Sequence, residues 1–166
     1  IAAIGLAGSS KAALKFLNSF SDAIDIDFSE GVIKQIIVDD AGNDGIDFSN
    51  SVVVVENSSI SKALDKAISV GESTQAQIQD VRLVQSKVGI AVKDSSVLNG
   101  KEIGLGDLEF GVALYKKKKM YGLPEAMLSS LTFEKVNREL FIERGATLQL
   151  DGSTIAPSIY DSKPHF

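Results

Sequence analysis

The chain has 166 residues, of which 44% are hydrophobic, no cysteine and a formal net charge of −5. This length and composition suit one domain with a continuous core. The lack of cysteine excludes a disulfide framework, a thiolate zinc site and a cysteine nucleophile. Every apolar run is far shorter than the roughly 20 residues of a membrane span. Residues 20–50 hold eight acidic side chains against one lysine, which argues against a nucleic-acid partner.

The first 20 residues allow two interpretations. The segment 10–17 predicts either a capping helix, with Ser9 or Ser10 as its N-cap, or the last strand of an earlier coil. Residues 1–6 lack the basic leader and the cleavage pattern of a signal peptide. Because no initiator methionine is present, we expect a mature product or a piece of a longer protein.

Residues 20–115 repeat with a period of 22 residues. A small residue followed by a branched aliphatic one recurs at this interval, and another apolar residue stands two positions after the aliphatic one. The pairs are Ala23-Ile24, Gly45-Ile46, Ala67-Ile68, Gly89-Ile90 and Gly111-Val112, and the second column is Ile26, Phe48, Val70, Val92 and Leu114. Equal intervals in two apolar columns indicate a solenoid, whose units stack to bury a shared core.

Each 22-residue unit is predicted to consist of short strands. The two apolar columns alternate with other residues at period two, which is typical of a half-buried strand. A second apolar run follows in the same unit, as at 52–55, and Gly, Asn, Ser and Asp separate the runs. We therefore predict an all-β fold, a right-handed parallel β-helix of five or more 22-residue coils with irregular ends.

Residues 1–166 are predicted to form a single β-helix domain. Its parts are a cap or partial coil (1–20), regular coils (20–115), irregular C-terminal coils (116–155) and a tail (156–166). The period breaks after Tyr115, where four lysines intervene, and the strands beyond it are weaker, at 131–133, 140–142 and 147–150.

The interrupting stretch is predicted to be a loop that leaves the regular coil. Insertions in solenoids map to loops that often form the binding face. Four adjacent lysines repel one another and suit a place where water or an anion screens them, and two flanking tyrosines offer flat surfaces to sugar rings. The candidate ligand site is Tyr115, Lys116, Lys117, Lys118, Lys119 and Tyr121. The expected partner is an acidic polysaccharide, and a plain solvated loop is the alternative.

Three aspartates are predicted to point outward from neighbouring coils. Strand alternation turns Ile24 and Ile26 inward and therefore Asp25 and Asp27 outward, and the period stacks Asp25 on Asp47. Like charges at strand spacing repel each other, and oxygen-rich clusters suit Ca²⁺. Asp25, Asp27 and Asp47 are the candidate metal ligands, with calcium as the cofactor, and a solvated acidic face is the alternative.

Residues 43–47, Asn-Asp-Gly-Ile-Asp, resemble the Asn-x-Asp-Gly-x-Asp motif of polygalacturonases. In these β-helix hydrolases, carboxylates of neighbouring coils supply the general acid and activate water. One coil later Lys66 stands where the family has an aspartate, and no histidine lies near Gly89. We therefore expect no such activity and predict no catalytic residues. Asp22, Asp44 and Asp65 are explained structurally, because aspartate at a strand entrance caps the turn.

Five stretches together resemble the β-helix region beside CotH-kinase-like domains of bacterial surface or secreted proteins. They are FSDAIDIDFSEG (20–31), DGIDFS (44–49), DKAISVGE (65–72), GIAVKD (89–94) and YKKKKMYGLP (115–124). The kinase domain itself is absent, so the resemblance carries over no kinase residues. It implies an accessory module of a bacterial protein located outside the cell or on its surface.

The function predicted from these features is a non-enzymatic binding or scaffolding module. It would belong to a larger exported protein with covalently joined neighbouring domains and would contact acidic glycans. A lyase or hydrolase acting on acidic polysaccharide is the alternative, with Arg82, Lys87 and Lys93 as outward bases. The two differ in shape, because an enzyme needs a groove where outward carboxylates and bases converge, whereas a scaffold shows a flat face.

Overall fold

The computed structural model describes residues 2–7 and 13–158. Within these residues every regular element is a strand and none is a helix. The strands are, in chain order, β1 (Ala2–Ala7), β2 (Leu14–Ser19), β3 (Ile24–Asp27), β4 (Ser29–Lys34), β5 (Ile36–Ala41), β6 (Ile46–Ser49), β7 (Val52–Ala63), β8 (Lys66–Gly71), β9 (Gln75–Val84), β10 (Val88–Lys93), β11 (Val97–Tyr115), β12 (Glu125–Ile142), β13 (Thr147–Leu150) and β14 (Ser153–Ile155).

The chain winds into a parallel β-solenoid of about six turns, which confirms the predicted fold. The register follows the 22-residue period: Ile24 pairs with Ile46, Ile46 with Ile68, Ile68 with Ile90 and Ile90 with Val112. The apolar columns of the sequence are therefore ladders of stacked side chains, about 4.8 Å apart from turn to turn.

Three strand segments per turn stack into three faces. The first face is formed by β3, β6, β8, β10 and the end of β11. The second face is formed by β1, β4 and the first parts of β7, β9, β11 and β12. The third face is formed by β2, β5 and the later parts of β7 and β9, continued by the middle of β11.

The inward side chains of the three faces form one continuous apolar core. Phe48, Ile60 and Ile90 are fully buried at its centre. Burial of one such side chain contributes about 1.5–3 kcal/mol, and the ladders repeat this contribution in every turn. The core fixes which side of each strand faces outward and so positions every candidate site.

One residue per turn makes the corner between the second and third faces. These corner residues all have left-handed backbone conformations with φ between 48° and 58°: Gln35 (54°), Asn57 (49°), Asp80 (51°), Glu102 (57°) and Ser130 (55°). Asparagine and aspartate adopt this conformation more readily than other non-glycine residues. The sharp corner lets β7, β9, β11 and β12 pass from one face to the next without a loop.

The N-terminal segment is strand in its described part. β2 pairs with β5 from Leu14 to Ser19, in keeping with the interpretation of an earlier coil. Ser9 and Ser10, the N-cap candidates of the alternative helix, lie outside the described residues.

The C-terminal part is more regular than its sequence predicts. β12 is one continuous strand that pairs with β11 from Glu125 to Ile142, where the sequence predicted separate weak strands at 131–133 and 140–142. The pairing with an already ordered β11 imposes the strand even though many side chains of β12 remain exposed. β13 then pairs with β12, and β14 turns back antiparallel on β13. Most of the predicted tail, 159–166, lies outside the described residues.

Candidate functional site

The lysine loop, residues 115–121, belongs to an insertion in the solenoid. Gln75 pairs with Val97, 22 residues later, whereas Val97 pairs with Glu125, 28 residues later. The extra length lies between β11 and β12, where the sequence predicted a loop. The turn after it resumes the regular register.

Three side chains of neighbouring turns hold the backbone of this insertion. Asp94 Oδ1 accepts hydrogen bonds from the backbone N–H groups of Lys117 and Lys118, both at 2.8 Å. The Glu143 carboxylate accepts from the Lys116 N–H at 2.7 Å, and Ser95 Oγ accepts from the Gly122 N–H at 2.6 Å. The loop is therefore preformed, because its backbone is bonded to the rod.

The lysine ammonium groups differ in their surroundings. Lys118 forms an ion pair with Glu72, and this hydrogen bond raises the pKa of the lysine. Lys117 and Lys119 are exposed and form no ion pair with another residue of the described ranges. The loop thus presents two lysine side chains to solvent while its backbone is held in place.

The two tyrosines beside the lysines are not equivalent. Tyr115 is 6% exposed and belongs to a second apolar cluster on the outer side of the first face, together with Phe110 and Phe141. Burial raises the pKa of its hydroxyl. The expectation of an exposed Tyr115 ring is wrong, because the ring packs against the rod. Tyr121 is partly exposed, and its contact with sugars stays a prediction.

The acidic ladder, residues Asp25, Asp27 and Asp47, stacks as predicted. Asp25 pairs in register with Asp47, and Asp27 with Ser49. Burial first, and then repulsion by Asp27, Asp47 and Asp22, raises the pKa of Asp25. Among the described residues no group of three or more acidic or histidine side chains is placed to hold a metal ion. Calcium binding at the ladder therefore stays a prediction.

Calcium gives this prediction a direct test. If the ladder binds Ca²⁺, millimolar calcium should raise the melting temperature by mass action on the folded state. The variant Asp25→Asn/Asp47→Asn should lose this rise, whereas Asp40→Asn/Asp107→Asn, which removes two exposed charges elsewhere, should keep it. Differential scanning calorimetry with and without calcium measures the shift. An unchanged melting temperature in the parent protein leaves the ladder as a solvated acidic face.

The polygalacturonase-like aspartate is part of a buried ion cluster. Asp44 is 3% exposed, and its Oδ1 accepts from the backbone N–H of Lys66 at 3.0 Å and lies 3.5 Å from Lys66 Nζ. Lys66 also pairs with Asp65, and Asp22 Oδ1 accepts from the Asp44 N–H at 2.8 Å. Asp22 and Asp44 therefore cap strand entrances, as predicted.

The outward base Lys93 is buried on the first face. It is 8% exposed and extends over Gly71 of the preceding turn, where a Cβ atom would lie 3.2 Å from Lys93 Cε. Burial lowers the pKa of its ammonium group. Asp47 Oδ1 and Ser69 Oγ are also buried on the outer side of this face and have no hydrogen-bond partner. A polymer in solvent does not reach a lysine in this position.

A groove of about 870 Å³ follows the corner between the second and third faces. Asp80, Arg82 and Glu102 line it, so outward carboxylates and a base do converge there. Both carboxylates are exposed and repel an acidic polymer, which disfavours the enzyme considered above. Sequence analysis missed this groove, although polar residues recur near the coil period at 57, 80 and 102. That recurrence was the available signal.

No protein-family model matches the chain, and neither a curated protein nor a solved structure was found to be significantly similar to it. The parallel β-solenoid thus rests on the structure itself, and the resemblance to the region beside CotH-kinase-like domains gains no support from relatives. Within the described ranges no helix is long and apolar enough to cross a membrane.

Proposed function

We propose that this chain is a non-enzymatic binding module that contacts acidic glycans through the lysine loop. The observation that carries the proposal is the fixed backbone of this loop beneath two exposed lysines. Asp94 accepts from two consecutive backbone amides, so Lys117 and Lys119 project from a rigid support. Binding then orders only side chains, which lowers its entropic cost.

The charge of the loop selects the class of ligand. Only Lys118 among the four lysines forms an ion pair with a described residue through its ammonium group. Sulfate or uronate groups along a glycan would satisfy the remaining ammonium groups by direct charge pairing. Tyr121 lies beside them and adds a partly exposed ring for contact with a sugar.

The same proposal places the module in a larger protein. A rod of stacked turns separates what it binds from what it is joined to, which suits an extracellular or surface-attached scaffold. The resemblance to the β-helix region beside CotH-kinase-like domains supports a bacterial exported protein of this kind. Sequencing the flanking coding region tests this part, and flanking segments without export or surface-attachment features would contradict it.

Loss of the two free lysines should weaken glycan binding. A lysine beside a dense anionic surface contributes about 1 kcal/mol, so Lys117→Ser/Lys119→Ser should bind a sulfated polysaccharide about 30-fold more weakly. Retention on a dextran sulfate column, and its decrease with rising salt, measures the change. Binding should weaken with salt because exposed charges are screened.

A matched control separates the loop from the total charge. Lys101→Ser/Lys135→Ser removes two exposed lysines that pair with Glu102 and Asp107, and it changes the net charge by the same amount. This control should elute with the parent protein. Equal elution of the parent and the loop variant would contradict the proposal.

A further inference from the structure

The groove along the corner is a separate feature from the lysine loop. It runs over successive turns, from Ala13 near the first turn to Thr132 in β12. Four steps of about 4.8 Å between stacked turns give it a length of roughly 19 Å. It lies between the second and third faces, whereas the loop follows the end of the first face.

Two columns of polar side chains form the walls. The corner column contributes Asn57, Asp80 and Glu102. The second column, two residues further along each turn, contributes Ser59, Arg82 and Thr132. Amide, hydroxyl, carboxylate and guanidinium groups thus recur along the axis of the rod, and a ligand with a repeating structure meets similar donors and acceptors at every turn.

Most of these groups have no partner within the protein. The side chains of Asn57, Asp80 and Arg82 form no hydrogen bond or ion pair with another residue of 2–7 or 13–158. Glu102 pairs with its neighbour Lys101 at 3.2 Å, and both of these side chains are about half exposed. The groove therefore presents hydrogen-bonding groups that the fold itself does not use.

Gly104 keeps the middle of the groove open. It stands in the wall column between Arg82 and Thr132. A Cβ atom at this position would have Thr132 Oγ1, at 3.6 Å, as its nearest neighbour, which is an ordinary contact, and the backbone is not in the left-handed region. The fold consequently does not require glycine here, whereas a larger side chain would fill the groove.

We propose that this groove binds a neutral linear polysaccharide whose chain runs along the axis of the solenoid. Hydroxyl groups both donate and accept hydrogen bonds, so they match a wall that mixes Asn57, Arg82 and two carboxylates. Asp80 and Glu102 lie one turn apart and repel anionic polymers, so the groove and the lysine loop select different glycans. The proposal adds a second site to the proposed function and does not depend on it.

Affinity electrophoresis in native gels tests the groove. Gels containing hydroxyethylcellulose, xylan or glucomannan should retard the parent protein in at least one case. Gly104→Leu should weaken this binding at least tenfold, because the added side chain occupies the groove. Retardation should persist in 0.5 M salt, because contacts with an uncharged sugar are not screened. Circular dichroism and the melting temperature establish that the variant is folded.

Matched controls locate the site. Asn99→Leu places the same side chain on the same strand, β11, at an exposed position in a smaller groove, and it should be retarded like the parent. Lys117→Ser/Lys119→Ser should also be retarded like the parent. No retardation of the parent in any of these gels, or equal retardation of folded Gly104→Leu and the parent, would overturn the proposal. Shortening of the polysaccharide that disappears in Asp80→Asn would also overturn it, because the groove would then be a hydrolase site.

Discussion

Ile46→Asp is expected to unfold the solenoid. Ile46 is completely buried and lies between Ile24 and Ile68 in the central ladder of the first face. Loss of the aliphatic side chain costs about 2–5 kcal/mol, and burial of a carboxylate without a partner adds several kcal/mol. This sum approaches the whole stability of a domain, about 5–15 kcal/mol. Far-UV circular dichroism should show loss of the β signal.

The control for this substitution lies on the neighbouring face. Val52→Asp introduces the same carboxylate at a β-branched position that is 51% exposed. Its effect should stay within about 0.5 kcal/mol, as for most surface substitutions. Two equally folded variants would mean that residue 46 does not face a packed core.

Lys66→Met should produce the next largest loss of stability. Lys66 is 3% exposed and lies between the carboxylates of Asp44 and Asp65. Burial alone lowers the pKa of Lys66, but the two carboxylates raise it above the ordinary value. Removing one partner of a buried ion pair leaves an uncompensated charge and costs about 3–5 kcal/mol. Thermal unfolding should show a decrease of roughly 10 °C.

An exposed ion pair provides the comparison. Lys62→Met breaks a pair with Asp39 in which both side chains are largely in solvent, so the cost should be about 0–1 kcal/mol. The double variant Lys66→Met/Asp44→Asn should recover part of the loss, because the unpaired charge is gone. If Lys66→Met and Lys62→Met are equally stable, the buried cluster does not stabilise the fold.

The pH dependence of Lys66→Met follows from Asp44. Burial raises the pKa of this carboxyl, and Lys66 opposes the shift. The folded state therefore takes up this proton at a higher pH than the unfolded chain, so stability from this group increases as the pH falls through the folded pKa. Without Lys66 the shift should grow, and the variant should be less destabilised near pH 5 than near pH 8.

Sequence periodicity was sufficient to predict the fold and the outward acidic pair. The steps from Ile24 to Val112 are constant, and a parallel ladder converts equal spacing into stacking, so the pairing of Asp25 with Asp47 followed directly. The insertion after Tyr115 was also predictable, because it breaks a strict period. The continuous strand β12 was not predictable, because its order comes from pairing with β11.

Burial on the outer side of the first face needed the tertiary structure. Period two marks Lys93 and Tyr115 as outward, yet they are 8% and 6% exposed, because side chains of adjacent turns and of the second apolar cluster cover this face. Alternation gives the direction of a side chain from the strand but not what lies beyond it. The exposure of a candidate residue therefore cannot be read from its position in the repeat.

The sequence by itself determined the coil length, the inward ladders and the position of the lysine loop, because these depend on spacing along the chain. Only the tertiary structure decided that Asp94 and Glu143 hold the loop, because these residues come close only when turns of different length stack. It also decided that the corner column and the column of Arg82 face each other across a groove. The angle between two faces of a solenoid depends on how the three inward ladders pack together, and that packing is a property of the whole turn.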